Sequence, residues 1–240
     1  MNIKVLASSS KGNCHIISDG FTKILLDAGI PINQIQIGVK FRLSEIYGAF
    51  ITHSHQDHCK AAVDLAKAGI DVYAHESVFT ATRASGHRCH AIESHCDSTG
   101  IIIPPIIIGT FKIVPFDCQH DVPNLGFYIR STITGENLLY FTDSFYVKYK
   151  FSDLHYIMAE CNYSSEAINE NMASGRVPAA FKKRLVHSHM SIDNLIEMLR
   201  QNDLSSIKQI YLLHLSDRNS REEEFKSRIQ KEVGCEVYVG

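Results

Sequence analysis

The chain has 240 residues, of which 45% are hydrophobic and 21% are charged, as is usual for globular proteins with one large or two small domains. No apolar run approaches the ~18 residues of a membrane span, and the apolar region at the N-terminus is too short for a signal peptide. The net charge of −2 excludes a general attraction to nucleic acid, so a local site must bind any polyanion. We therefore expect a cytosolic protein.

The cysteines and histidines point to different chemistry. Seven scattered cysteines without a CxxC pair predict reduced thiols rather than a disulfide framework. Thirteen histidines are better explained by metal binding than by surface decoration.

Short apolar runs recur along the chain and predict strands, because they are four to six residues long and rich in β-branched or aromatic side chains. In chain order they cover residues 3–7, 15–18, 24–27, 49–52, 71–74, 111–116, 126–130, 138–142, 156–160, 209–213 and 236–239.

Three segments have helical patterns. Residues 59–68 end at Gly69, and residues 192–201 follow Ser191, a favourable N-cap. Residues 220–232 are charged with an apolar stripe, which is typical of a surface helix. Together the elements predict a mixed chain of two sheets packed face to face, with helices outside.

The strongest motif is His53-Ser54-His55-Gln56-Asp57-His58, an H-x-H-x-D-H sequence between a predicted strand and a predicted helix. Two residues apart in extended backbone, His53 and His55 point to the same side and are suited to bind one metal ion. Asp57 and His58 lie where the chain turns into the helix, displaced toward a second ion. Imidazole and carboxylate ligands suit Zn²⁺, Mn²⁺ or iron.

One loop cannot complete two metal shells, so further ligands are expected at strand ends. His120, Asp143 and His214 each follow a predicted strand. We expect His120 to join His53 and His55 at one ion, and His214 to join Asp57 and His58 at the other. Asp143 would bridge the two ions through its two carboxylate oxygens. Taken singly, each of these three residues is also compatible with an ordinary polar strand end.

This ligand set resembles that of the metallo-β-lactamase superfamily over essentially the whole chain. Within it the chain is similar to the YycJ/WalJ-like branch, on the opening segment 7–13 and on Gln119-His120-Asp121, Ala159-Glu160-Cys161-Asn162, His189-Met190-Ser191 and His214-Leu215-Ser216-Asp217. The resemblance implies an α+β fold, an αββα sandwich of two facing mixed β-sheets with helices on the outer faces, as a single domain over residues 1–240. It also implies two divalent metal ions per chain, Zn²⁺ first and Mn²⁺ as the alternative.

Members of this branch are implied to be nucleases, so we expect a metal-dependent phosphodiesterase, first of all an exonuclease-like DNA nuclease using a metal-bridging hydroxide. Asp57 would orient or deprotonate the water as well as bind metal. His189, before the predicted helix at Ser191, resembles the histidine opposite the metals in phosphodiesterase members and would assist the leaving group, with His187 as the alternative. A capping or solvent-exposed histidine is the simpler interpretation of His189.

Two basic segments are candidates for binding substrate. Lys182, Lys183 and Arg184 precede His189 and are suited to phosphate contacts, although a solvated helix face explains them equally well. Residues 146–150 form a weaker alternation of aromatic and basic side chains after Asp143.

Other functions stay open at this point. The substrate is expected to be a nucleic acid or a nucleotide; small cyclic nucleotides, RNA precursors, thioesters or other substrates of the same fold are the alternatives. A non-catalytic, metal-stabilised binding module is a further one. No motif indicates a membrane, and a homo-oligomer is compatible with the sequence but not specified by it. A structural zinc site is conceivable at His87, Cys89, His90, His95 and Cys96, but the spacing matches no common finger, so a loop at the rim of the active site is favoured.

Overall fold

The computed structural model describes residues 1–93, 95–97 and 100–240, without the side chains of residues 95–97, 100–102, 179 and 181. The chain divides into two compact units. Unit 1 comprises Met1–Asp117 and Val122–Glu136, and unit 2 comprises Cys118–Asp121 and Asn137–Gly240. Over the described ranges, every helix is too short or too polar to cross a bilayer.

Unit 1 begins with a six-stranded mixed sheet in the order β1-β2-β3-β4-β5-β6. Its first three strands are antiparallel and the rest continue in parallel. The strands are β1 (Asn2–Ser9), β2 (Gly12–Ser18), β3 (Lys23–Leu26), β4 (Gly48–Ile51), β5 (Val72–Ala74) and β6 (Cys89–Ala91). Every residue of β4 is buried, as is typical of a strand covered on both faces.

Helices pack on this sheet through one apolar cluster. They are α1 (Ile32–Gly38), α2 (Gln56–Cys59), α3 (Ala62–Lys67) and α4 (Glu76–Thr82), with a 3₁₀ turn at Leu43–Glu45. Ile35 of α1, Leu65 of α3 and Val78 of α4 belong to one buried cluster with Leu25 and Ile51 of the sheet. The core therefore fixes the loop between β4 and α2.

Unit 1 also contains five later strands. A small antiparallel pair is formed by β7 (His95–Asp97) and β8 (Gly100–Ile102). Adjacent strands follow in the order β9 (Ile106–Ile108), β10 (Phe111–Cys118) and β11 (Asn124–Ser131). Pro104 and Pro105, which cannot donate ladder hydrogen bonds, lie between β8 and β9.

Unit 2 contains a parallel sheet in the order β15-β14-β13-β12. The strands are β12 (Asn137–Phe141), β13 (Tyr156–Glu160), β14 (Gln209–Leu213) and β15 (Glu236–Val239). The helices are α5 (Ser165–Ala173), α6 (Ala179–Val186), α7 (Ile192–Arg200) and α8 (Glu222–Val233). Because β12, β13 and β14 are parallel, their carboxyl ends meet at one edge of the sheet.

Helix ends in unit 2 follow their sequence signals. The Ser164 and Ser191 side chains accept hydrogen bonds from the Ala167 and Asn194 amides, both at 3.1 Å, and so cap α5 and α7. Gly234 ends α8 in the left-handed conformation, with φ of 70°. The predicted cap at Ser191 and the apolar stripe of α8 are thus observed.

The predicted strands appear within three residues of their observed bounds, but the predicted helix over residues 59–68 is interrupted. The chain forms α2 and α3 instead, because the Ala61 amide donates to the Ala28 carbonyl at 2.8 Å rather than to a helical partner. α1, α4, α5 and α6 were not predicted. The expectation of a single domain over residues 1–240 stays a prediction.

Candidate metal centre

Unit 1 brings the four residues of the H-x-H-x-D-H motif together. His53 lies two residues beyond β4, His55 is the N-cap of α2, and Asp57 and His58 occupy the helix itself. His53 and His58 are fully buried, whereas the Asp57 side chain is 23% exposed. The His53 and His58 rings lie 4.1 Å apart, centroid to centroid.

Asp27 fixes the orientation of these imidazoles. One of its oxygens accepts the Thr52 amide at 2.8 Å and the Thr52 hydroxyl at 2.9 Å, and the other lies 2.8 Å from His58 Nδ1. Since the hydroxyl is used as a donor, it accepts from His53 Nδ1 at 3.0 Å. Both rings then carry their proton on Nδ1 and present the Nε2 lone pair, the form that binds metal.

The distance between the ring nitrogens of His53 and His55 suits two ligands of one metal ion. His53 Nε2 and His55 Nδ1 are 3.1 Å apart, close to the ~3.4 Å expected between two ligands at ~2.1 Å from one tetrahedral ion. His58 Nε2 lies 3.5 Å from Asp57 Oδ2 and 3.0 Å from Asn13 Nδ2. The donor set of unit 1 therefore fits divalent metal.

Unit 2 places three acidic or imidazole groups at the carboxyl edge of its sheet. Asp143 follows β12, Glu160 ends β13 and His214 follows β14. Asp143 and His214 have left-handed backbones, with φ of 49° and 53°. For side chains other than glycine this conformation costs about 1–2 kcal/mol, and such strain concentrates at functional sites.

These groups and His189 form one cluster: potential ligand atoms of Asp143, Glu160, His189 and His214 all lie within 4.8 Å of one another. His214 Nδ1 is 3.7 Å from Asp143 Oδ1 and 3.3 Å from Glu160 Oε1. The side-chain Nδ2 of Asn162 donates to the His214 carbonyl at 2.8 Å, which holds the strained residue in place. The cluster has the ligand types of a divalent metal site.

Glu160 is better suited to hold this cluster than to bind metal. One carboxylate oxygen accepts the Ser144 and Met190 amides, both at 3.0 Å, and the other lies 2.5 Å from His189 Nδ1. Burial acts to raise the pKa of Glu160, but the interactions with His189 outweigh it and lower that pKa. The buried carboxylate is thus ionised and fully engaged.

The same contact acts on His189. Burial acts to lower the pKa of His189, but the Glu160 carboxylate more than compensates, so the pKa is raised. With Nδ1 directed at Glu160, Nε2 is the ring atom suited to meet a ligand. The ring stacks on His214 at 5.4 Å with an interplanar angle of 8°.

His120 lies two residues beyond β10 and belongs to unit 2. Its Nδ1 lies 3.0 Å from the Ser188 carbonyl, and its Nε2 is 4.0 Å from Asp143 Oδ2. Burial lowers the pKa of His120, which favours the neutral imidazole that metal binding requires. Unit 2 therefore brings all three predicted downstream ligands together.

The predicted substrate-binding residues lie on α6. Lys182 donates to Asn169 Oδ1 at 2.7 Å, and Lys183 and Arg184 are exposed. Of the cluster around residues 87–96, His90 pairs with Asp71 at 3.1 Å and stacks on Tyr73, whereas the side chains of His95 and Cys96 lie outside the described residues. The cysteines with described side chains are free thiols: Cys14, Cys59, Cys89, Cys118, Cys161 and Cys235.

Sequence reasoning missed Asp27 and the role of Glu160. Both stand at the carboxyl end of a buried strand, the position that identified Asp143 and His214. Asp27 also has a left-handed backbone, with φ of 57°. Applied to every strand, the strand-end rule would have found both residues.

The fold and the two donor sets define a metallo-hydrolase of metallo-β-lactamase type. The structure of the metallo-β-lactamase fold protein YhfI from Bacillus subtilis superposes with a TM-score of 0.71 and 14% identity, over 99% of this chain and 95% of that one. The structure of human tRNase Z, short form, superposes with a TM-score of 0.64 and 13% sequence identity, over 100% of this chain and 96% of that one. These similarities confirm the predicted class, an α+β sandwich of two mixed sheets with helices.

The family follows from sequence. The family model described as "Beta-lactamase superfamily domain" matches residues 22–215, so the chain belongs to this family. The chain is also 27% identical over 229 residues to the exodeoxyribonuclease YycJ of Bacillus anthracis, covering 92% of this chain and 85% of that protein. These matches confirm the resemblance to the metallo-β-lactamase superfamily and to its YycJ/WalJ-like branch.

We expect the Glu160→Gln substitution to lower the pKa of His189 in EDTA-treated protein, because it removes the charge that raises this pKa and leaves the burial that lowers it. A histidine with a raised pKa contributes stability that is present in full below its unfolded pKa of ~6.5 and is lost as pH rises through the folded value. The variant should therefore lose more stability at about pH 5.5 than at about pH 8.5.

NMR titration of the His189 ring, with urea unfolding at both pH values, measures this effect. Glu166→Gln, on the exposed face of α5, is the matched control. An unchanged His189 pKa in Glu160→Gln would contradict the assignment.

Proposed function

We propose that this chain is a metal-dependent phosphodiesterase that degrades DNA as an exonuclease. The observation that carries the proposal is the pair of oriented donor sets, one in each unit, on a chain of this family. The similarity to exodeoxyribonucleases over about nine-tenths of the chain supports DNA as the substrate. A cytosolic location is part of the same proposal.

In this proposal His53, His55 and His120 would hold one divalent ion, Asp57, His58 and His214 would hold the second, and Asp143 would serve both. Zn²⁺ is the first expectation and Mn²⁺ the alternative, since both accept imidazole and carboxylate. When bound, such ions withdraw charge from the phosphodiester and lower the pKa of a water molecule. Asp57, whose side chain is 23% exposed, would orient a water molecule at the site and accept its proton on the carboxylate.

The departing oxygen requires a proton or a positive partner, and His189 supplies it. The Glu160 carboxylate positions the ring and favours its protonated form, so Nε2 carries a proton suited to the leaving group. His189 also precedes the N-terminus of α7, where backbone amides favour anions. Glu160 is a positioning residue in this scheme.

The test is hydrolysis by the metal-loaded protein of linear duplex DNA, single strands, a tRNA precursor and cyclic nucleotides, compared side by side. Release of mononucleotides from DNA ends is the expected result. The net charge of −2 favours a small substrate instead, so cyclic nucleotides are the second candidate. Turnover of a cyclic nucleotide without cleavage of DNA would select that candidate.

We expect His189→Ala to slow DNA hydrolysis by about 10²-fold or more while metal content is retained, because the group removed serves the leaving oxygen. Turnover and bound metal are measured on the same preparation. His187→Ala tests the neighbouring exposed histidine, and an effect confined to that variant would transfer the role to His187. Loss of metal in His189→Ala would instead identify it as a ligand.

We expect the Lys182→Ala, Lys183→Ala, Arg184→Ala triple variant to bind DNA with a shallower dependence on salt. Each phosphate contact that is lost reduces the slope of log affinity against log salt by about 0.9 for duplex DNA. The Lys40→Ala, Lys112→Ala, Lys231→Ala variant removes the same charge from exposed lysines elsewhere in the sequence. Equal slopes for both variants would exclude a specific role for α6.

A further inference from the structure

A cavity of about 300 Å³ in unit 2 has no role in the steps described above. One wall comes from the segment after Asp143, including Phe145 and Tyr146, and the other comes from Met190 and α7. We call it the base cavity. Resting on the proposed function, we propose that it binds the nucleobase of the nucleotide whose phosphodiester is cleaved.

Position is the first argument for the proposal. Phe145 is two residues from Asp143, and Met190 is the residue after His189. Because consecutive Cα atoms are ~3.8 Å apart, the Cα atoms of Phe145 and Met190 lie within ~8 Å of those of Asp143 and His189. The Met190 amide also donates to Glu160 at 3.0 Å, which ties the cavity wall to the buried carboxylate.

The chemistry of the walls is the second argument. Tyr146 is 51% exposed although it is a large aromatic side chain, and Phe145 is half-buried beside it. Met190 and Met198 lie behind the cavity and are almost fully buried, so the accessible wall is that of the aromatic pair. A flat aromatic base stacks on such side chains regardless of its identity, as a nuclease without sequence preference requires.

The loop that carries the aromatic pair is held in place. The side-chain Nδ2 of Asn194 donates to the Phe145 carbonyl at 3.2 Å, and the Ser144 hydroxyl donates to the Tyr146 carbonyl at 2.8 Å. The Phe145 amide donates to the Gln119 carbonyl at 3.4 Å. A preformed wall lowers the entropic cost of binding.

Charge determines which end of the nucleotide enters. Glu197 lines the cavity and its charge disfavours a phosphate there; its Oε1 accepts a hydrogen bond from Gln201 Nε2 at 3.0 Å, so its other carboxylate oxygen is the one that offers a polar contact to a base edge. Lys148 and Lys150 follow Tyr146 along the chain, and Lys148 Nζ lies 5.0 Å above the Tyr149 ring. The base therefore enters the cavity while the phosphates stay outside it, and the aromatic-basic alternation of residues 146–150 gains a function.

The test compares two product-like probes on metal-loaded protein: deoxyadenosine monophosphate, as its 5′ and 3′ isomers, and deoxyribose 5-phosphate, which lacks the base. We expect the better mononucleotide to bind at least about tenfold more tightly than the sugar phosphate. Tyr146→Ala should abolish most of this ratio, and Tyr146→Phe should retain it because stacking is preserved. Tyr47→Ala, which removes a tyrosine that is 50% exposed in unit 1, should leave the ratio unchanged.

Equal affinity for the two probes, or a ratio that survives Tyr146→Ala, would overturn the proposal and assign the cavity to another apolar group. The failure of the proposed function gives a different result. If the protein cleaves no phosphodiester but the ratio still depends on Tyr146, the base cavity stands without the nuclease. If DNA is cleaved and the ratio is independent of Tyr146, the nuclease stands without the base cavity.

Discussion

Replacing Asp57 by asparagine is expected to reduce DNA hydrolysis by about 10³-fold while the protein stays folded. The substitution keeps the shape of the side chain but removes both its negative charge and its capacity to accept a proton. Asp57 lies in the first turn of α2 with a side chain that is 23% exposed, so an asparagine of similar volume is accommodated there. The loss should therefore appear in turnover and metal content rather than in the melting temperature.

The matched control is Asp64→Asn, in exposed position on α3 of the same unit. Turnover by the DNA assay, metal by elemental analysis and unfolding by circular dichroism are measured for both variants. Undiminished hydrolysis in Asp57→Asn would remove this residue from the mechanism. A similar fall in turnover for Asp64→Asn would show that the loss follows from removing any negative charge in this unit rather than from Asp57 itself.

Much of the site could be predicted because it follows from strand ends. The apolar runs that end before Asp143 and His214 are strong strand signals, and a parallel sheet brings its carboxyl ends together. The H-x-H-x-D-H spacing predicts in addition that the side chains of residues 53–58 converge in the loop between β4 and α2. These inferences need only local pattern and strand direction, which a sequence contains.

Other features depend on pairings that local pattern does not encode. The break between α2 and α3 arises from the Ala61 amide bonding to Ala28, a residue more than thirty positions away. The role of Glu160 becomes evident only when Ser144, Met190 and His189 converge on its carboxylate. Likewise, α6 has no side-chain cap at its start, so its sequence shows basic residues compatible with a solvated helix face but no signal for where a helix begins.

Gly29→Ala is expected to be among the most damaging single substitutions in unit 1. A Cβ built on Gly29 would lie 1.6 Å from the Asp57 carbonyl oxygen and 2.8 Å from the Asn13 amide nitrogen. Both neighbours are backbone, so neither can rotate away. The Gly29 amide donates to the Asn13 carbonyl, and the Ala28 amide donates to the His58 carbonyl, each at 2.8 Å, so any relief must move α2.

We expect the free energy of unfolding to fall by about 3 kcal/mol, near the upper end for overpacking of a well-packed site. For a chain of this size that lowers the melting temperature by about 6–12 °C. Because His58 and Asp57 shift with the backbone, turnover of the folded variant should also fall by about 10²-fold, as expected for misplacement of reacting groups by about 1 Å.

Gly135→Ala separates steric exclusion from backbone strain. Gly135 has a φ of 72° and no heavy atom within 4 Å of its hypothetical Cβ, so its substitution costs only the ~1 kcal/mol of a left-handed alanine. That variant should retain wild-type turnover. If Gly29→Ala matches it in both stability and turnover, the close approach of residues 13, 29 and 57 does not position the proposed ligands Asp57 and His58.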